Sequence, residues 1–319
     1  MRIALFGGTG FVGSYLVDAL VAADMQPVLL VRSGQESRVR HPERCEVIIG
    51  DVADADAVAR VIEGADAVIY NIGLLREFPA RGVTFAAMHR DAARRTIDTA
   101  VASGVKRYLL MSANGVKAQG TPYQHTKYEA EQHLAGTGLE WTIFRPSVIF
   151  GDPRGRMEFA TQLSRDIVQP PFPAPLFFPG LLPLRAGEFQ LSPVHVEDVA
   201  DAFVEALRKP ETAGKILHLG GPESLSWRQI LTTIAAASGK RKLMVPVPGA
   251  GVSAAATLLD RFESFPITRD QIRMLMEGNT CGPEDLEGLG IVPKPFDRAH
   301  LRYLSGSTQE SSPWRQNAA

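Results

Sequence analysis

Short apolar runs alternate along this chain with longer stretches in which apolar residues recur every three or four positions. The runs Ile3–Phe6, Pro27–Val31, Glu46–Ile49, Ala67–Tyr70, Tyr108–Met111 and Trp141–Phe144 are too short for helices, and several are rich in Val or Ile. They predict strands. Helical periodicity lies between them, clearest at Phe11–Ala22, Thr84–Ser103 and Tyr123–Leu134. Strand and helix in alternation is the pattern of βαβ units on a parallel sheet, and near-continuous apolar strands are those covered by helices on both faces. Residues 1–150 therefore predict a doubly wound α/β domain.

The texture changes after Gly151. Pro170, Pro171, Pro173, Pro175, Pro179 and Pro183 crowd one apolar stretch, and proline disfavours helix interiors and central strands. Pro170–Leu184 is expected to be an irregular loop opening a smaller second domain. With Phe172, Phe177 and Phe178 it either lines an apolar ligand pocket, touches a membrane or partner, or simply covers the core. A helix near Val196–Leu207 and a strand near Ile216–Leu219 regain the α/β rhythm, so residues 189–222 are expected to return to the first sheet. The smaller, C-terminal substrate domain is then discontinuous, 151–188 and 223–305, with a fraying tail at 306–319. Within it Ser226 reads as the N-cap of a helix over Trp227–Ala237, a strand is expected near Leu243–Val247, and helices near Val252–Phe262 and Thr268–Met276.

Composition narrows the function. The 319 residues are 45% hydrophobic and 22% charged, which excludes disorder for the bulk of the chain. With Lys+Arg at 34 and Asp+Glu at 35, no cationic excess is present to neutralise a run of phosphates, so nucleic acid is set aside as a partner. Cys45 and Cys281 form neither a CxxC pair nor a disulfide framework, consistent with a reducing, cytoplasmic setting. Arg2 is followed at once by a short apolar run ending in glycines, so a signal peptide is not expected, and no uninterrupted apolar stretch reaches membrane-spanning length. Membrane contact is expected to be peripheral at most. The seven histidines include no HExxH pair and no zinc-spaced Cys/His cluster, and no GxSxG elbow is present, so neither a metal site nor a common hydrolase is expected.

Gly7-Gly8-Thr9-Gly10-Phe11-Val12-Gly13 directly follows the first strand and opens the first helix. Glycines at Gly7, Gly10 and Gly13 allow a tight turn, close approach of backbone to a pyrophosphate, and tight packing of helix on strand, while the helix N-terminus offers free N–H groups to phosphate. Thr9, Phe11 and Val12 belong to the same cradle. At the end of the second strand, where an acid would accept the ribose hydroxyls of NAD, stands Arg32. A guanidinium pairs instead with the 2′-phosphate of NADP, with Ser33 adding a hydrogen bond, so NADP(H) is favoured over NAD(H). Asp51 and Val52 are expected to flank the adenine, and Asn71, Gly73 and Pro146 to line the rest of the dinucleotide.

Ser112 follows the fifth strand, and Tyr123-Gln124-His125-Thr126-Lys127 puts a tyrosine and a lysine on one face of the next helix. An ammonium beside a phenol is expected to lower the phenol's pKa and make Tyr123 an acid/base, with Lys127 also holding the nicotinamide ribose.

Together with GGTGFVG, this YxxxK resembles the Rossmann-fold short-chain dehydrogenase/reductase superfamily in its extended and atypical branch. Arg145-Pro146-Ser147 with Ile149-Phe150-Gly151 resembles the branch's exit from the Rossmann core, and Pro193-Val194-His195-Val196-Glu197-Asp198-Val199-Ala200 its return. Within the branch the chain is similar to the nucleotide-binding accessory subunit of respiratory complex I and its bacterial relatives, including Ile267-Thr268-Arg269-Asp270-Gln271. Two departures stand out against the resemblance. The Ser or Thr that usually hydrogen-bonds the substrate carbonyl is Asn114, and the usual structural asparagine is His89. Ser112 or Asn114 is expected to steady the carbonyl. The resemblance implies an oxidoreductase moving hydride between a nicotinamide and a small or apolar carbonyl substrate, or a non-catalytic nucleotide-binding structural or assembly protein beside a respiratory membrane, or a sugar-nucleotide epimerase/dehydratase.

Overall fold

The computed structural model describes residues 1–74, 76–178, 182–248 and 269–305. Strands β1 (Arg2–Phe6), β2 (Gln26–Val31), β3 (Glu46–Ile49), β4 (Ala67–Tyr70), β5 (Arg107–Met111) and β6 (Glu140–Pro146) alternate with helices α1 (Phe11–Ala22), α2 (Ala55–Ile62), α3 (Ala92–Ala102) and α4 (Pro122–Ala135). Then follow β7 (Ile149–Phe150), α5 (Phe159–Leu163), β8 (Ala174–Phe178), β9 (Gln190–Leu191), β10 (Val194–His195), α6 (Val196–Arg208) and β11 (Lys215–Leu219). The main sheet is parallel, in the order β11-β6-β5-β4-β1-β2-β3. Strand order reverses at β1 and β4, so a crevice opens between their C-terminal ends, the place where ligands bind in such sheets.

Period-two alternation divides the core. Ile3 and Leu5 of β1 pack with Leu16, Val17 and Leu20 of α1 and Val199 and Phe203 of α6, whereas Ala4 and Phe6 face Val58 and Val61 of α2, Ile97 of α3 and Leu134 of α4. The Phe144 and Phe203 rings stack 4.0 Å apart across the first layer.

A third cluster gathers Phe150, Leu163, Leu176 and Phe177 around Trp227, Ile230, Leu231 and Ile234 of α7 (Trp227–Ala237). Ser226 caps α7 in a capping box with Gln229. The proline-rich stretch corrects its expectation: Ala174–Phe178 is a strand, paired in parallel with Met244–Pro248 in a two-stranded sheet. Both strands are edges, so prolines with their missing N–H turned away from the ladder remove no bond. Pro175 shows this orientation, its outward carbonyl accepting from Trp227 Nε1 at 2.9 Å. A second correction concerns residues 223–305. Leu286 and Leu289, in and just after helix Glu284–Gly288, pack into the first domain's core, and Asp285 accepts from His218 N at 2.7 Å at the sheet edge. Helix Arg269–Glu277 occupies most of the span expected for Thr268–Met276. The helix expected at 252–262, Thr268 and the tail at 306–319 lie outside the described residues.

Candidate active site

The glycine turn is closed tightly. Gly7 has φ +90°, and a Cβ on Gly13 would lie 2.0 Å from Gly7 O. The turn and the first helical coil are thus in backbone contact, which only glycine permits. Gly10 is the N-cap of α1, with no side-chain cap and no acidic residue in the first turn. A 12-residue helix therefore presents bare N–H groups and its positive end toward the crevice. Thr9, Phe11 and Val12 are half-buried around it, and Arg32 and Ser33 stand exposed where β2 ends. Across the crevice Asn71 N donates to Phe6 O at 2.9 Å, and Gly73 is exposed. Asp51 is exposed, its carboxylate accepting from Ala53 N; Val52 is buried against α2, and its carbonyl accepts from Arg95. A turn that leaves no room for a Cβ at Gly7 or Gly13, an uncapped helix and the Arg32 cation at the end of β2 fit a dinucleotide.

On α4 the Thr121 cap, Gln124 in its capping box and Pro122 at the first turn start the helix. They aim Tyr123, Lys127 and Glu131 along one face at i, i+4 and i+8. Lys127 is buried, its Nζ donating to Met111 O at 3.0 Å and lying 5.8 Å from the Tyr123 ring centre. Burial depresses the ammonium to about 8, against the opposing pull of Glu131. Tyr123 packs edge-on against Phe85 and His89, at 5.7 and 5.2 Å. Its phenol is pushed well above its ordinary value by burial. The expected lowering is therefore corrected: Lys127 addresses the ring face and a carbonyl rather than the phenolic oxygen, so desolvation wins.

Ser112 and Asn114 are corrected as well. Ser112 is buried and its hydroxyl donates to Glu131, which in turn holds Arg145 in a two-pronged pair, Nε at 3.0 Å and Nη2 at 2.5 Å. Asn114 Nδ2 donates to Asn279 Oδ1 and Thr280 O, at 2.8 and 3.1 Å, and its backbone N–H donates to the carbonyl of buried Pro146. Both side chains thus give their protons to the protein itself.

His89 joins the cluster despite its departure from the family pattern. It sits in a π-helical turn, Ala86–Asp91, and stacks on Phe85 at 5.4 Å. Its Nε2 accepts from Leu74 N at 3.0 Å, which puts the ring proton on Nδ1, facing Thr126 Oγ1. Burial and then Lys127 depress it to about 2, so it is neutral. It braces the loop after β4, and with Lys127, Ser112 and Tyr70 it lines a small cavity beneath the crevice. His195 caps α6, accepting from Glu197 N. Glu131 and Asn279 belong to none of the motifs, and the Arg145-Pro146-Ser147 motif does not reveal that Arg145 pairs with Glu131. Only Glu131 carried a local signal, one further turn along the Tyr123–Lys127 face. Among the described residues no cluster of ligands could hold a metal ion, and no helix is long and apolar enough to cross a membrane.

The family model described as NAD(P)H-binding matches residues 7–167. The chain is 26% identical to the ceramide reductase of Caulobacter vibrioides over 83% of its own length and 80% of that protein. It is 25% identical to NADH dehydrogenase [ubiquinone] 1 alpha subcomplex subunit 9 of Dictyostelium discoideum, over 93% of this chain and 82% of that one. The UDP-glucose 4-epimerase of Thermus thermophilus, solved with NAD, superposes with a TM-score of 0.72 at 19% identity, covering 97% of this chain and all of that one, and so shares the fold. With a glycine turn that fits a dinucleotide and half its length matched, the chain belongs to the NAD(P)H-binding family, in the atypical branch of the short-chain dehydrogenase/reductase superfamily.

Proposed function

We propose that the chain is an NADPH-preferring reductase of apolar carbonyl substrates, with Tyr123 as proton donor. The observation that carries this reading is the state of Tyr123: a phenol on the same helix face as Lys127, with burial the sole influence on its proton and no hydrogen-bond partner for it among the described residues. A phenol held protonated suits the reductive direction. The bound dinucleotide supplies the hydride that the carbonyl carbon accepts. Tyr123 gives its proton to the carbonyl oxygen, so the C=O becomes CH–OH, and the phenolate left behind takes a proton back from solvent, with Lys127, still cationic at neutral pH, 5.8 Å from its ring centre. Ser112 and Asn114 contribute scaffolding, and Lys127 is the group that meets the ribose.

Gly7, Gly10 and Gly13 seat the pyrophosphate, Arg32 and Ser33 meet the 2′-phosphate, and Asp51, Val52, Asn71, Gly73 and Pro146 line the remainder. An apolar substrate is supported by exposed Phe172, Leu182 and Leu184 beside the second core and by a relative named for ceramide reduction. Those residues would also suit a cytoplasmic protein resting on a membrane surface. The test is NADPH oxidation with long-chain ketones by wild type and Tyr123→Phe. Loss of turnover with NADPH binding intact is expected; equal turnover overturns the assignment.

A second reading, a nucleotide-holding structural protein, is favoured by the engagement of Ser112 and Asn114 in internal bonds. NADPH that copurifies, exchanges slowly and is never oxidised across the same substrates would establish it.

A further inference from the structure

Residues 152–156 leave the main sheet for the second core and cross directly over the glycine turn. Tyr15 donates to Asp152 O at 3.0 Å, and the Arg154 guanidinium lies 3.5 Å from the Tyr15 ring centre while pairing with Asp18 at 2.7 Å. Arg156 then makes three bonds to three stretches of backbone: Nε to Thr9 O at 2.8 Å, Nη1 to Arg154 O at 3.1 Å, and Nη2 to Arg38 O at 3.1 Å. None of these acceptors is a carboxylate.

Charge around this fork is unbalanced. Arg38, Arg40 and Arg154 all lie near enough to act on Arg156. Asp18 is shared by Arg40, Arg154 and His41. Arg38 and Arg32 have no acidic partner among the described residues. An arginine fork uses its planar donors to fix geometry as well as charge, and gathering cations around it costs repulsion that an anion relieves. Thr9 sits within the cradle for the pyrophosphate, and Arg38 lies six residues beyond Arg32 on the segment that would carry the adenosine.

We propose that Arg156 is a positioning residue for cofactor choice: it pins the Arg32–Arg40 segment to the glycine turn, so that Arg38 stands beside Arg32 at the 2′-phosphate of NADPH. The inference rests on the reading that Arg32 meets that phosphate. It makes the entry to the second core part of the specificity of the first. A fork spanning three carbonyls is the working element, so a lysine, with one nitrogen, is a poor substitute.

The experiment measures dissociation constants of the full chain for NADPH and NADH by fluorescence, and for adenosine 2′,5′-bisphosphate and 5′-AMP by calorimetry. Variants are Arg156→Ala, Arg156→Lys, Arg38→Ala and Arg32→Ala, each checked for its melting temperature. Expected for Arg156→Ala and Arg156→Lys is a loss of about tenfold or more for NADPH and the bisphosphate, with NADH and 5′-AMP changed by about threefold or less. Arg38→Ala should show the same selective loss, and adding Arg156→Ala to it should do little more, because the two act in series. Equal losses for phosphorylated and unphosphorylated ligands, no loss, or full rescue by lysine would each overturn the positioning role. Wild type that binds all four ligands without regard to the 2′-phosphate would overturn the Arg32 reading itself. A preference abolished by Arg32→Ala and untouched by Arg156→Ala would overturn this inference alone.

Discussion

Replacing Glu131 by glutamine keeps the volume of the side chain and removes its charge from a buried network. Glu131 is 1% exposed and Arg145 18%, and the two are joined by two bonds while Ser112 donates to the same carboxylate. Breaking a buried pair from one side leaves the other ion uncompensated, at about 3–5 kcal/mol, and the low end applies because Arg145 keeps some water. About 3 kcal/mol corresponds to about 4–5 °C in Tm for a chain of this size. Denaturant unfolding of Glu131→Gln, Arg145→Met and the double variant reads this directly. The double variant should recover most of the loss, since neither ion is then stranded. A second readout is chemical: Glu131 is the carboxylate that holds Lys127 up, so its removal moves the Lys127 titration below about 8. A single-variant loss under about 1 kcal/mol, or a double variant as unstable as the two losses summed, would refute the reasoning.

Two further perturbations test the site. Reduction should slow as pH rises through about 8, because Lys127 loses its charge there while the Tyr123 phenol keeps its proton. The sign for stability is opposite: the folded lysine titrates below its unfolded value of 10.5, so the burial penalty is full below about 8 and is relieved as pH climbs toward 10.5. Wild type minus Lys127→Met in unfolding free energy across that window should show the gain, and a flat difference would contradict it. Gly13→Ala puts a methyl 2.0 Å from Gly7 O, a clash with main chain that has no flexible side chain to give way. It should cost about 2 kcal/mol or more and abolish dinucleotide binding, whereas an unaltered Kd for NADPH would mean the turn is not the cradle.

What could be read from the chain was what is local in it. The strands of the main sheet are apolar runs because helices cover both faces, and Val196–Arg208 and Lys215–Leu219 announced themselves by the same period. Ala174–Phe178 did not, because its prolines obey the rule for edges rather than for central strands. The glycine turn and the Tyr123–Lys127 spacing are contained within single short segments. By contrast, Ser112 finds Glu131 19 residues on, Asn114 finds Asn279 165 residues on, and Arg156 finds Thr9 147 residues back. These partners are chosen by the packing of layers, so no spacing encodes them. The direction of the Tyr123 shift was lost for the same reason, since it depends on how closely Phe85 and His89 wall off the ring.

The last strand of the main sheet has consequences for how the molecule is made. Between β6 and its neighbour β11 the chain detours through the second core, and α6, which covers α1, is met on the way back. A nascent chain that has emerged only to residue 150 already contains the glycine turn, Tyr123 and Lys127, yet β6 is a naked edge and the apolar face of α1 is uncovered. Open edges of this kind recruit other strands. The long wait before β11 arrives also raises contact order and slows closure of the sheet. Synthesis thus passes through an interval in which every chemical group of the cofactor turn exists but the platform that aligns them does not, and a chaperone or an early-binding nucleotide has its greatest leverage there.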